Sequence, residues 1–237
     1  MPKKKNNTQK VDLSITNFDF DDKELKYINK TKYVPQWCFR WLIVGQSGSG
    51  KTVLALNAIA KMLTFDKLFI IAKHPEQGKL KKLVDAIKEA GREHDLFLGQ
   101  SVEDIPDFET FQKNKQNLVL LDDLVMEDQT KIADLCIRGR HRSISIIYLS
   151  QSYYRVPRII RLQCTDFSLF ELNRKEQNLV YQDVGGACPS LDLFRRYMRD
   201  CTTQDYGFIY IDTRTRDKNM KFRKGFNKCI HTGNDMS

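Results

Sequence analysis

The sequence predicts an α/β fold, a mostly parallel sheet with helices on both faces. Two stretches carry that prediction. In the first, the apolar run Trp41-Leu42-Ile43-Val44 leads into Gly45-Gln46-Ser47-Gly48-Ser49-Gly50-Lys51-Thr52, and Val53, Leu56, Ile59, Ala60 and Leu63 then recur at helical spacing. Strand, glycine-rich loop and helix in that order make a phosphate-binding loop, the P-loop of NTPases. In the second, Leu118-Val119-Leu120-Leu121 ends in Asp122-Asp123, a buried strand that delivers carboxylates to the edge where open α/β sheets bind ligands.

With 237 residues and 41% hydrophobic content the chain buries one substantial core, and two full domains would be cramped. No apolar run approaches the roughly 18 residues of a membrane span. The polar start Met1-Pro2-Lys3-Lys4-Lys5 is expected to be neither signal peptide nor anchor, so no membrane partner is expected. Six cysteines without a C-x-x-C pair read as reduced structural thiols. The net charge of +9 points to a polyanionic partner.

Taken in order, residues 1–34 read as a flexible polar arm, with lysines at 3–5 and an acidic knot at Asp19, Asp21, Asp22 and Glu24. The ATPase domain is expected over 35–212. In its P-loop, Gly45, Gly48 and Gly50 let successive N–H groups turn inward beside a helix N-terminus, a nest for phosphate oxygens formed by residues 45–52. Lys51 is placed to reach the β- and γ-phosphates of ATP, and Thr52 to offer its hydroxyl to Mg²⁺. Lys67-Leu68-Phe69-Ile70-Ile71-Ala72 is a second strand, Leu80 to Ala90 a helix stopped by Gly91, and Leu96 to Leu98 a short strand.

At the aspartate strand, Asp122 is the candidate ligand for the Mg²⁺ water shell and Asp123, one residue beyond, the candidate general base. A helix from Asp128 to Arg138 closes at Gly139. The turn Arg140-His141-Arg142 then leads into Ile144 to Leu149, a strand that ends at Ser150-Gln151 on the same edge. There Gln151 can bond both the attacking water and a γ-phosphate oxygen. Pro157 opens a short helix, Thr165 to Leu172 is a further strand, and Tyr206 to Ile211 another. Asn173-Arg174-Lys175-Glu176 stands where a GTPase would carry Asn-Lys-x-Asp, so adenine is the default base. Residues 213–237 form a basic segment. Between 213 and 228 seven basic residues face one acid, and Arg214, Arg216, Arg223, Lys224 and Lys228 are the candidate DNA contacts. A solvated charged tail is the plain alternative.

The P-loop, the strand ending at Asp123, the Gly139-Arg140-His141-Arg142 turn and Tyr148-Leu149-Ser150-Gln151 followed by Pro157 and Arg161 together resemble the genome-packaging ATPases of large double-stranded DNA viruses and virophages. These belong to the FtsK–HerA branch of P-loop motors. The resemblance covers residues 40 to about 212. It implies a RecA-like sheet with an extra strand between the P-loop strand and the aspartate strand, and a homo-oligomeric ring, pentameric or hexameric, that drives duplex DNA into a capsid irrespective of sequence. A capsid vertex protein is then a partner, and the virion or host-cell cytoplasm the place of action. It also implies an arginine acting on a neighbouring subunit. Arg140 and Arg142 match one family position for it and Arg174 another, with Arg140 favoured. The second acid, often glutamate in such motors, is Asp123 here. Two rivals use the same loop: a nucleotide-gated DNA-binding scaffold or switch with little turnover, and a small-molecule kinase.

Overall fold

Strands that are apolar on both faces need cover on both faces, and parallel crossovers supply it. The computed structural model describes residue 29 and residues 31–75 and 78–230. Their nine strands form one sheet in the order β3-β2-β4-β5-β1-β6-β7-β8-β9. These are β1 (Arg40–Val44), β2 (Lys67–Ala72), β3 (Leu96–Gly99), β4 (Asn117–Asp122), β5 (Ile144–Ser150), β6 (Asp166–Leu169), β7 (Ile209–Asp212), β8 (Phe222–Lys224) and β9 (Lys228–Cys229). β1 to β6 run parallel, and β7 to β9 finish the sheet as an antiparallel meander.

Alternation along each strand assigns the two faces. Trp41 and Ile43 of β1 join the core under α1 (Lys51–Lys61) and α2 (Gly78–Glu89). Leu42 and Val44 point to the other core, covered by α3 (Thr130–Arg138), α4 (Arg158–Gln163), α5 (Arg174–Val184) and α6 (Leu191–Thr202). β5 lies between β1 and β4, so the expected extra strand is present. Its register sets Val44 opposite Ser150 and Asp122 opposite Leu149. The ends of the P-loop strand, the aspartate strand and the glutamine strand therefore share one edge.

Several expected boundaries move. Residue 212 does not end the domain: β8 pairs onto β7 and β9 onto β8, and Phe222 is fully buried. Packing also starts before 35, since Val34 is buried and Asn29 Oδ1 accepts from the Thr64 N–H at 2.9 Å. The rest of the expected arm, with its lysines at 3–5 and its acidic knot, lies outside the described residues, as do 231–237. β6 stops at Leu169 rather than Leu172 because the chain turns towards the cap of α5, where Asn173 Oδ1 accepts from the Glu176 N–H at 3.0 Å. β7 starts at Ile209 rather than Tyr206, since residues 204–207 form a turn closed by the Gly207 N–H donating to Gln204 O at 2.9 Å. Among the described residues no helix is long and apolar enough to cross a membrane.

Candidate nucleotide site

The loop after β1 has no room for side chains at its base. A Cβ at Gly45 would stand 2.6 Å from Ser49 Oγ and 2.7 Å from Phe170 Cβ. Gly50 caps α1 in the left-handed region, at φ 103, and no side chain caps the helix. The first-turn N–H groups of α1 are thus left for an anion, at the positive end of the helix dipole. The Lys51 ammonium donates to the carbonyls of Gly45 at 2.6 Å and Gln46 at 2.8 Å, which folds the side chain back over the loop. Burial lowers its pKa, and Asp122 and Asp123 act in the opposite direction.

Thr52, half-buried in the first turn of α1, stands beside the Asp122 carboxylate, whose pKa is raised by burial first and by neighbouring Asp123 second, with Lys51 and Thr52 acting in the opposite direction. Thr52 and Asp122 are adjacent hard oxygen donors, the chemistry Mg²⁺ selects. Among the described residues no group of three or more His, Cys, Asp or Glu could hold a metal ion. A cation held by Thr52 and Asp122 would need further oxygen donors, which water and phosphate can supply. Asp123 leaves the strand in the left-handed region, φ 58, which aspartate tolerates better than most residues. That turn exposes its carboxylate, and Gln151 Nε2 donates to Asp123 Oδ1 at 3.4 Å.

Lys51, Thr52, Asp122, Asp123 and Gln151, up to 100 positions apart in the chain, thus meet at one sheet edge. A family profile described as Poxvirus A32 protein matches residues 28–211. The chain belongs to the poxvirus A32 protein family. Its fold is shared by the DNA-packaging ATPase B204 of Sulfolobus turreted icosahedral virus, with TM-score 0.54 and 14% identity over 81% of this chain and 98% of that one. The genome packaging NTPase B204 from Sulfolobus turreted icosahedral virus 2 in complex with ATP-gammaS superposes at TM-score 0.53 with 12% identity over 81% and 98% of the two chains. Its sulfate complex gives 0.55 with 13% identity over 78% and 94%. No curated protein sequence matches. The expected likeness to viral genome-packaging ATPases is borne out by family and fold.

In this A32-family chain the three candidate arginines fall on opposite edges. Arg140 and Arg142 lie in the turn that enters β5, roughly 20 Å from the P-loop edge by the length of a seven-residue strand. Arg142 is half-buried, its guanidinium 3.9 Å from Glu109 and over the Phe108 ring. Arg174, exposed, opens α5 on the P-loop edge.

The basic segment is not one surface. Arg223 is 1% exposed: it donates to Tyr33 O at 3.0 Å and Phe226 O at 2.7 Å, and its guanidinium stacks over Tyr210 at 4.3 Å. It is a core residue and not a DNA contact. Arg214 pairs with Asp166 at 3.2 Å, a buried carboxyl that burial pushes up to about 6, so this charge is already engaged. Lys224 donates to Asp200 O at 2.9 Å. The register puts Arg214 and Arg216 at the edge away from the P-loop and Lys224 and Lys228 at the P-loop edge. Of the five candidates, Arg216 and Lys228 remain exposed without an engagement of this kind.

One residue that spacing did not reveal is Glu176. Nearly buried, it accepts from Ser152 Oγ at 2.6 Å and from the Tyr153 N–H at 2.8 Å. Ser150 Oγ donates to Ser152 O at 2.8 Å from the other side. Gln151 is therefore held in a backbone fixed on both flanks. The available signal was a helix-capping pattern, Asn173 followed three residues later by Glu176.

Proposed function

We propose that this chain is an ATPase that uses ATP and Mg²⁺ to drive double-stranded DNA into a viral capsid, working as a ring of identical subunits against a capsid vertex protein at the site of virus assembly. The observation that carries the reading is the meeting of Lys51, Thr52, Asp122, Asp123 and Gln151 at one edge of a sheet in a member of the A32 family. Loop N–H groups and Lys51 bind and neutralise the β- and γ-phosphates. Thr52 and Asp122 hold Mg²⁺, which when bound neutralises charge developing on the phosphates. Gln151 orients the attacking water and Asp123 accepts its proton.

Hydrolysis in a ring also needs positive charge on the leaving side of the γ-phosphoryl group. An arginine in the turn before β5 cannot reach its own P-loop across the length of the strand, so Arg140 serves a neighbour; Arg174, on the P-loop edge, is the alternative. A motor must hold duplex through its phosphates alone. Affinities for unrelated duplexes are therefore expected to agree closely and to fall steeply with salt, each lost phosphate contact lowering the log–log slope by about 0.9. Titrating duplexes of unrelated sequence at several salt concentrations checks this. The substitutions Arg216→Ala at one edge and Lys228→Ala at the other show which edge lies on DNA, by which variant flattens the slope. A strong preference for one short sequence at moderate salt contradicts translocation.

A further inference from the structure

The loop that carries Lys51 has two flanks. Asp122, Asp123 and Gln151 occupy the flank beside β4 and β5. On the other, beside β6 and β7, a cleft of about 480 Å³ opens between the loop and residues 202–207. Gly48 and Ser49 form its loop wall, Phe170 and Glu171 its floor beyond β6, and Tyr206 stands in the facing turn.

Tyr206 combines two features that rarely occur together. The residue is 71% exposed, and its backbone is held in the left-handed region, φ 60, where an aromatic residue is an outlier. The surrounding turn enforces that backbone. Gly207 packs so closely on the end of α6 that a Cβ would stand 2.4 Å from Cys201 O, and its N–H donates to Gln204 O. The ring is thereby set against the P-loop, since a Cβ at Gly50 would lie 3.0 Å from Tyr206 Cδ1. Strained backbone that persists because its surroundings over-determine it clusters at ligand clamps. Here the strain presents a large ring to water beside a phosphate cradle.

We infer that this cleft takes the purine base of the nucleotide whose phosphates the P-loop holds, with Tyr206 as the ring on which the base stacks. The inference rests on the nucleotide reading of the loop. Mg²⁺-binding and water-orienting groups fix the terminal phosphate on the β4 and β5 flank, so the nucleoside leaves by the other. Gly48 and Ser49 belong to loop and cleft alike. A tyrosine face suits any purine, and the Glu171 carboxylate and the carbonyls of the turn are acceptors for an exocyclic amino group.

The test compares two ligands on the full chain, ATP and inorganic tripolyphosphate, which shares the phosphates and lacks the base. Tyr206→Ala is expected to weaken ATP about tenfold or more, the scale of base stacking on an aromatic side chain, and to leave tripolyphosphate unchanged. Tyr206→Phe is expected to keep ATP affinity. Tyr206→Asn, whose side chain tolerates the left-handed backbone, repeats the measurement should the alanine variant fold poorly. ATP binding by both the Ala and Asn variants within twofold of the parent overturns the inference while leaving the P-loop reading intact. An equal loss of both ligands also overturns it, because the ring then supports the loop and not the base. A parent chain that binds neither ligand sinks the nucleotide reading, and the inference with it.

Discussion

Lys51→Ala removes ATP hydrolysis and most nucleotide affinity, and the chain stays folded. The expectation follows from what the ammonium touches: its hydrogen bonds are to two loop carbonyls, those of Gly45 and Gln46, so its loss exposes no core and leaves the phosphates without their nearest cation. Asp123→Asn is expected to behave differently. Thr52 and Asp122 still hold the metal and ATP still binds, but an amide takes no proton, and turnover falls by about 10² to 10⁴, the usual contribution of a positioned base. Equilibrium binding and steady-state hydrolysis on the two variants separate the roles. ATP binding by Lys51→Ala within a few-fold of the parent would falsify the P-loop assignment, and normal hydrolysis by Asp123→Asn would place the base elsewhere.

Arg140→Ala binds ATP normally and hydrolyses it about 10³ to 10⁵ more slowly, the effect of removing an arginine that stabilises γ-phosphoryl charge. Mixing Arg140→Ala with Lys51→Ala restores part of the activity, because each Lys51→Ala subunit lends an intact Arg140 to a neighbour whose P-loop is intact. No monomeric enzyme behaves this way. The position of the turn before β5, a full strand length from its own P-loop, motivates the expectation. Recovery with Arg174→Ala in place of Arg140→Ala moves the role to Arg174. Co-assembled mixtures that recover with neither arginine variant contradict a site shared between subunits.

Central parallel strands were legible because burial on both faces writes them as unbroken apolar runs. Lys67 to Ala72 stands in the sheet with the bounds its composition indicated. The meander beyond β7 was not legible. Phe222-Arg223-Lys224 counts as part of a basic tail until Tyr210 is seen lying under the guanidinium, and charge counting cannot register a buried cation stacked on a ring. α6 is readable in the sequence from its period: Phe194, Tyr197, Met198 and Cys201 recur at i, i+3, i+4 and i+7 and are all buried. α5 is obscured because its cap and first turn, Asn173-Arg174-Lys175-Glu176, stand at the position of a guanine-recognition motif.

The same division runs through the site. Residues 45–52 and the Asp122-Asp123 pair act through contiguous backbone, which a linear motif records. Glu176 acts on residues 22 to 24 positions earlier, and Tyr206 meets Gly50 only because β7 returns antiparallel beside β6. Neither contact leaves a pattern of its own; for Glu176 only the cap at Asn173 marks the place, and for Tyr206 nothing local does.

The steady-state rate of ATP hydrolysis by the intact chain, measured with and without long duplex DNA of arbitrary sequence, bears most directly on whether the chain is a DNA motor. A translocase whose ATPase cycle is coupled to movement along phosphates is expected to hydrolyse ATP slowly alone, and faster with duplex, with stimulation lost as salt rises. An unchanged rate with duplex, or negligible turnover in both conditions, would contradict it: the first is the behaviour of a small-molecule kinase indifferent to DNA, the second that of a nucleotide-gated switch.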